Sequence, residues 1–207
     1  MKVGKILLPV AAENCYLAIN ENKKESIIID PGSAFERIKS AVAQSQTRPV
    51  AVLLTHGHFD HAGETAAVSA EYGIDIYAHE KQAEELSNPS LNLSADMFGD
   101  SHVYSADVLL RDDEEIELAG LHIKCLHTPG HTPGGCCYYF TDEGIIFTGD
   151  TLFHGSVGRT DFPGGSMSQL VRSINEKLMV LPDDTVCYPG HDAATTIGYE
   201  RENNMFL

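Results

Sequence analysis

The run Thr55-His56-Gly57-His58-Phe59-Asp60-His61, directly after the apolar stretch Val50 to Leu54, constrains this chain more than any other segment. The apolar stretch has the length and composition of a buried strand. In an extended segment, residues two apart point to the same side. His56, His58 and Asp60 are therefore expected to converge beyond the strand end, with His61 turning in as the next helix begins. Imidazoles and carboxylates gathered in this way suit zinc, and also iron or manganese, with no thiolate required. A solvated loop that happens to be rich in histidine is the plain alternative. Three histidines and an aspartate within six residues at a strand end speak against it.

One such cluster leaves a ligand shell incomplete, so the fold must bring other strand ends to the same edge. The sequence offers three. His131 follows a strand ending near Leu126, Asp150 follows Ile145 to Thr148 through Gly149, and His191 follows Thr185 to Tyr188 through Pro189-Gly190. The carboxyl edge of an open α/β sheet is where such folds bind their ligands. Alone, each of these residues reads as an exposed histidine or a turn-forming aspartate. Their shared position relative to strands separates them from His79, His102, His122, His127 and His154, which read as structural or exposed.

Strands and helices are mixed along the chain. Cys15 to Asn20 and Glu25 to Asp30 read as strands joined by Glu21-Asn22-Lys23-Lys24. Ser33 and Glu36 have capping-box spacing before a helix with Phe35, Ile38 and Val42 on one face. A helix from about Glu64 ends at Gly73, and Asp75 to Ala78 is a further strand. Val103 to Leu110, Glu115 to Leu118, Leu121 to Leu126, Cys136 to Phe140 and Ile145 to Thr148 form a strand-rich region. One long helix with the stripe Leu170, Val171, Ile174 and Leu178 stops before Pro182, and a short helix follows the last strand. Ser87 to His102 and Phe153 to Ser168 read as long loops, candidates for binding loops or lids.

The 207 residues suit one domain spanning 1–207, and 43% hydrophobic content fills a sizeable core. The net charge of −16 argues against nucleic acid as a partner, since phosphate binding needs a cationic face. It leaves room for a small anionic substrate, because bound cations reverse the local field. No run approaches the roughly 18 apolar residues of a membrane span, so no membrane partner is expected. The N-terminal apolar stretch is too short for a signal peptide. The five cysteines have neither a zinc-ribbon nor a disulfide-framework spacing. They read as reduced core residues of a cytoplasmic protein.

The T-H-x-H-x-D-H run with the later His131, Asp150 and His191 resembles the metallo-β-lactamase superfamily. Gly149-Asp150-Thr151-Leu152-Phe153 and Thr128-Pro129-Gly130-His131-Thr132 are similar to glyoxalase II-like hydrolases. The loop Gly158-Arg159-Thr160-Asp161-Phe162-Pro163-Gly164-Gly165 resembles their compact single-domain bacterial members, and a related stretch occurs in persulfide dioxygenases. The resemblance implies an α/β fold, an αββα sandwich with two sheets inside and helices outside. It implies two divalent ions, with zinc foremost and iron or manganese as alternatives. One would be held by His56, His58 and His131, the second by Asp60, His61 and His191, with Asp150 bridging.

The expected activity is hydrolysis of a small-molecule thioester such as S-D-lactoylglutathione. The nucleophile would be a hydroxide bridging the ions, held by Asp60 and Asp150, since metal-bound water ionises at about pH 7 rather than 15.7. Cys136 and Cys137 lie in an apolar strand without an evident base, a poor setting for a reactive thiol. Arg159 stands approximately where glyoxalase II has a basic residue for glutathione, and the same residue can instead brace its loop through Asp161. A persulfide dioxygenase with one iron, a lactonase-type hydrolase and a non-catalytic binding module are the alternatives on this scaffold.

Overall fold

The computed structural model describes residues 1–98 and 101–207. Gly99 and Asp100, inside the stretch from Ser87 to His102, lie outside the described residues. The chain opens with β1 (Lys2–Leu7), β2 (Asn14–Asn20), β3 (Glu25–Ile29), α1 (Phe35–Ser45), β4 (Arg48–Leu53), the single turn α2 (Phe59–Ala62), α3 (Thr65–Tyr72) and β5 (Asp75–His79). It continues through α4 (Ala83–Ser87), α5 (Ser94–Phe98), β6 (Val108–Leu110), β7 (Glu115–Leu118), β8 (Leu121–His127), β9 (Cys136–Phe140) and β10 (Ile145–Gly149). The hairpin β11 (Leu152–Phe153) and β12 (Ser156–Val157), α6 (Met167–Ser173), β13 (Val186–Pro189), β14 (Thr195–Thr196) and α7 (Ile197–Asn203) complete it.

Two six-stranded sheets result, ordered β1-β2-β3-β4-β5-β6 and β14-β13-β10-β9-β8-β7. Side-chain alternation along the strands explains how they stack. In β3, Ile27 and Ile29 face the second sheet while Ile28 faces the helices; around β4, Ala51 and Leu53 point one way and Val52 and Leu54 the other. The layer between the sheets joins these residues to Ile123, Tyr138, Phe140 and Phe147 of the second sheet. Outside the first sheet, Ile38, Val42 and Val68 carry α1 and α3; outside the second, Leu170, Ile174, Leu178 and Ile197 carry the later helices. Strands buried on both faces must be continuously apolar, as Ile27-Ile28-Ile29 is. The architecture is the αββα sandwich.

Several local expectations give way to tertiary contacts. Lys2–Leu7 is an additional strand, antiparallel to β2. Its alternation is weak because much of it is exposed. Ser33 does not cap α1; Ala34 takes the N-cap position in a left-handed conformation, and no side chain caps the helix. The preceding turn is fixed instead by Gly32, whose backbone packs so closely on the Asp60 carbonyl that no β-carbon fits. Only Val108–Leu110 of the expected strand from Val103 joins the sheet. Tyr104 N–H donates to the Leu86 carbonyl and Asp107 N–H to that of Ile76, diverting the earlier residues from a ladder. The last turn of the long helix widens over Ile174–Leu178, keeping Ile174 and Leu178 buried with Leu170 while Val171 is only partly covered. The stretch from Ser87 contains α5, and the stretch from Phe153 contains the β11–β12 hairpin.

That hairpin is held by Glu200 of α7, a carboxylate with no exposed surface. Its oxygens accept from Gly155 N–H, the Thr195 hydroxyl and the Asn204 side-chain amide. Asn204 donates in turn to the Ser156 carbonyl. Removing one member of such a network leaves buried donors unpaired. Glu200→Ala is expected to cost about 3 kcal/mol of unfolding free energy, with a smaller loss for Glu200→Gln, measured by urea denaturation.

Candidate metal centre

The seven residues singled out at strand ends meet at one edge of the sandwich. His56 Nε2 lies 3.1 Å from His58 Nδ1, which lies 3.0 Å from His131 Nε2. Asp60, His61 and His191 form a second trio, with the Asp60 carboxylate 3.6 Å from His191 Nε2. Asp150 stands between the trios: its Oδ1 is 3.4 Å from His61 Nε2, and its Oδ2 is 3.5 Å from both His131 Nε2 and His191 Nε2. The residues arrive differently from the extended picture. The chain stays extended to His58, whose ψ of 149° ends the run, and α2 begins at Phe59. Asp60 and His61 therefore turn in from a helical turn, because the His58 carbonyl accepts the His61 and Ala62 N–H groups.

The donors fit cations. His61 Nε2 and Asp150 Oδ1 are buried without a hydrogen-bond partner, a rare and costly state unless a ligand completes it. Burial, joined by the neighbouring imidazoles, holds the His56 and His58 rings well below the usual histidine range, leaving them neutral with lone pairs to give. Burial opposes ionisation of Asp150, yet His61 above all holds its carboxyl well below the ordinary range. Gly190 leaves open the space beside these groups: a methyl there would overlap Asp150 Oδ1 and the His61 ring.

Three of the imidazoles, those of His56, His61 and His131, are aimed by a contact to their other nitrogen, as in ligand histidines. His131 Nδ1 donates to the Arg159 carbonyl at 2.7 Å, and His56 Nδ1 is 3.2 Å from the Thr55 hydroxyl. His61 Nδ1 is 3.0 Å from Asp30 Oδ2. Asp30 escaped the sequence reading, since a single aspartate after a strand resembles an ordinary turn former. Glu13 escaped it as well. It is fully buried 4.0 Å from His61, and burial pushes its carboxyl well up. Glu85 accepts from Gly57 N–H at 2.9 Å between two of the candidate ligands, with burial raising its carboxyl to about 7. Only the fold could reveal that contact.

The remaining candidates resolve plainly. Arg159 lines the cleft over the site, with Nε and Nη2 donating to Asp161 at 2.7 and 2.6 Å and the guanidinium 4.1 Å from the Phe162 ring centre. All five cysteines are buried and unbridged, and burial pushes the Cys137 thiol up to about 12. His79 and His127 stack at 4.1 Å, away from the seven. Gly190→Ala is expected to abolish metal uptake, read by elemental analysis, while the circular dichroism spectrum is retained. Asp30→Ala is expected to weaken metal affinity by about 10- to 100-fold, read by chelator competition.

Residues 8–191 match the model of the metallo-β-lactamase superfamily. A Bacillus subtilis protein named probable metallo-hydrolase YqgX is 37% identical over 200 residues, covering 96% of this chain and 93% of its own. The hydroxyacylglutathione hydrolase GloC of Haemophilus influenzae is 37% identical over 209 residues, covering 97% and 96%. Among solved structures, the BLEG-1 B3 metallo-β-lactamase superposes with a TM-score of 0.94 at 38% identity, covering 100% of this chain and 99% of its own. TTHA1623 in a di-iron-bound form gives 0.85 at 33%, covering 99% and 100%. The sandwich, the edge that gathers the seven residues and these relatives agree: the chain belongs to the metallo-β-lactamase superfamily.

Proposed function

We propose that the protein is a binuclear hydrolase of hydroxyacyl thioesters, with His56, His58 and His131 holding one divalent ion, Asp60, His61 and His191 the other, and Asp150 shared. The observation that carries this reading is the Asp150 carboxylate facing imidazoles of both trios, which suits a pair of ions better than a single one. The name of the Haemophilus relative supports the thioester class. Zinc suits the nitrogen and oxygen donors, and the di-iron neighbour makes iron the second choice.

When bound, the ions supply an ionised water near neutral pH and a Lewis acid for the carbonyl oxygen. The chain does the rest. Asp30, Thr55 and the Arg159 carbonyl hold the imidazoles in register. The walls around the site bring the acyl carbon to them and restrict water. In hydrolysis a C–O bond forms and the C–S bond breaks; the thiolate leaves with the bonding pair, and the carboxylic acid product gives its proton to solvent. A thiol with a pKa of about 8.5 leaves without a strong acid beside it, so no general acid is required of this cleft. The buried cysteines are unsuited to act as nucleophiles.

The test joins elemental analysis of the purified protein to a thioester assay. Two ions per chain, activity on S-D-lactoylglutathione, loss on chelation and recovery on adding zinc are expected. Failure of the fully metallated protein to hydrolyse any thioester overturns the reading. A single iron with oxygen uptake on glutathione persulfide moves the protein to sulfur oxidation, and preference for an acyl lactone moves it to lactonases.

A further inference from the structure

Imidazoles that face a metal keep their orientation through a partner on the outer nitrogen. Each trio of the candidate centre holds one histidine without such a partner. In the first, Thr55 and the Arg159 carbonyl meet His56 and His131. His58 turns its Nδ1 to those two rings, and its Nε2 has no hydrogen bond among the described residues. In the second, Asp30 meets His61, whereas His191 turns Nε2 to Asp60 and Asp150 and its Nδ1 has no such bond. Each of these two rings lies against a phenylalanine instead. Phe162 stands 5.6 Å from His58, centre to centre, with the planes at 81°. Phe153 stands 6.0 Å from His191 at 87°. Phe162 also meets His131 at 6.3 Å and 76°. Near-perpendicular contacts at this separation are a favoured arrangement of aromatic pairs, and an imidazole that turns about its Cβ–Cγ bond loses it.

Both phenylalanines are themselves held from behind. The Arg159 guanidinium lies 4.1 Å from the centre of the Phe162 ring, and Asp161 takes its Nε and Nη2. The loop that carries Phe162 is fastened at both feet. Gly158 packs on the Asp150 carbonyl so closely that no β-carbon fits, and Ser166 N–H donates to the Gly130 carbonyl at 2.8 Å. Phe153 sits on β11, whose hairpin is tied at Gly155 to Glu200. The planes of these rings are therefore set by the fold before any substrate arrives.

We infer that Phe162 and Phe153 are positioning residues of the two trios, each setting the plane of the imidazole that no hydrogen bond aims. The inference rests on His58 and His191 being ligands, as in the binuclear reading above. It gives Arg159 and Asp161 the work of bracing Phe162. Loss of a phenyl ring leaves its imidazole free to swing, so the ligand nitrogen spends less time aimed at the ion. Affinity then falls in that trio and not in the other.

The experiment titrates cobalt(II) into the metal-free full chain and into Phe162→Leu, Phe153→Leu and the ring-keeping Phe162→Tyr and Phe153→Tyr, reading visible absorption and chelator competition. Two ions per chain are expected for the wild type. Phe162→Leu is expected to weaken one of them about tenfold and shift its bands, and Phe153→Leu to do so for the other. Both tyrosine variants are expected to keep wild-type affinity. Arg159→Ala is expected to weaken the same ion as Phe162→Leu by about threefold, since an exposed brace contributes little. Melting temperatures of the metal-free variants are expected to stay close to that of the wild type, which separates aiming from a general loss of structure. Leucine variants with wild-type affinities and bands overturn the inference, and so do tyrosine variants as weak as the leucine ones. A wild-type chain that takes up no cobalt removes the ligand assignment beneath it.

Discussion

The carboxylate of Asp30 is the interaction on which the metal edge depends. It accepts Thr55 N–H at 2.8 Å and the Thr55 hydroxyl at 2.6 Å, and it faces His61 Nδ1 at 3.0 Å. It thereby ties the end of β3 to the end of β4 and to the helical turn carrying two candidate ligands. The residue adopts a left-handed conformation, φ 51°, which aspartate tolerates better than a branched residue. The fully buried Leu53 and Leu54 hold the strand end beneath it. A charge so deep is stable only with several donors around it, and here each donor belongs to a segment that the site needs in place.

The same economy governs the electrostatics. Burial alone works against protonation of His61, yet Asp150, Asp60 and Asp30 outweigh it and raise the ring well above the usual range. His56 and His58, with imidazoles for neighbours, move the other way. The edge thus has a half rich in carboxylates and a half rich in neutral imidazoles, joined by Asp150. Both halves offer donors of the kind that divalent cations accept.

Much of this was legible in the sequence, and the reasons for the rest are physical. The apolar run around Val52 announced a buried strand, the stretch from Glu25 to Asp30 read as a strand, and the period of Leu170, Ile174 and Leu178 announced a helix. The seven histidines and aspartates were readable because chemistry concentrates them next to those strands. Asp30, Glu13, Glu85 and Glu200 were not readable, because a buried carboxylate looks like any surface acid until its partners are known. Their partners are backbone N–H groups or side chains from distant segments, as with Gly57 for Glu85 and Gly155 for Glu200. The failure of Ser33 as a cap has a similar origin: the tight fit of Gly32 on Asp60 outweighed a local hydrogen-bond preference.

The anchoring of the β11–β12 hairpin by α7 has a consequence for motion. Phe153 and Val157 line the cleft, while Gly155 between them is bonded to Glu200 and Ser156 to Asn204. A molecule pressing on the hairpin from the cleft side loads a lever whose far end is the closing helix. Amide exchange along residues 197–203 should therefore report occupancy of a cleft that those residues do not line, making the helix a remote gauge of binding.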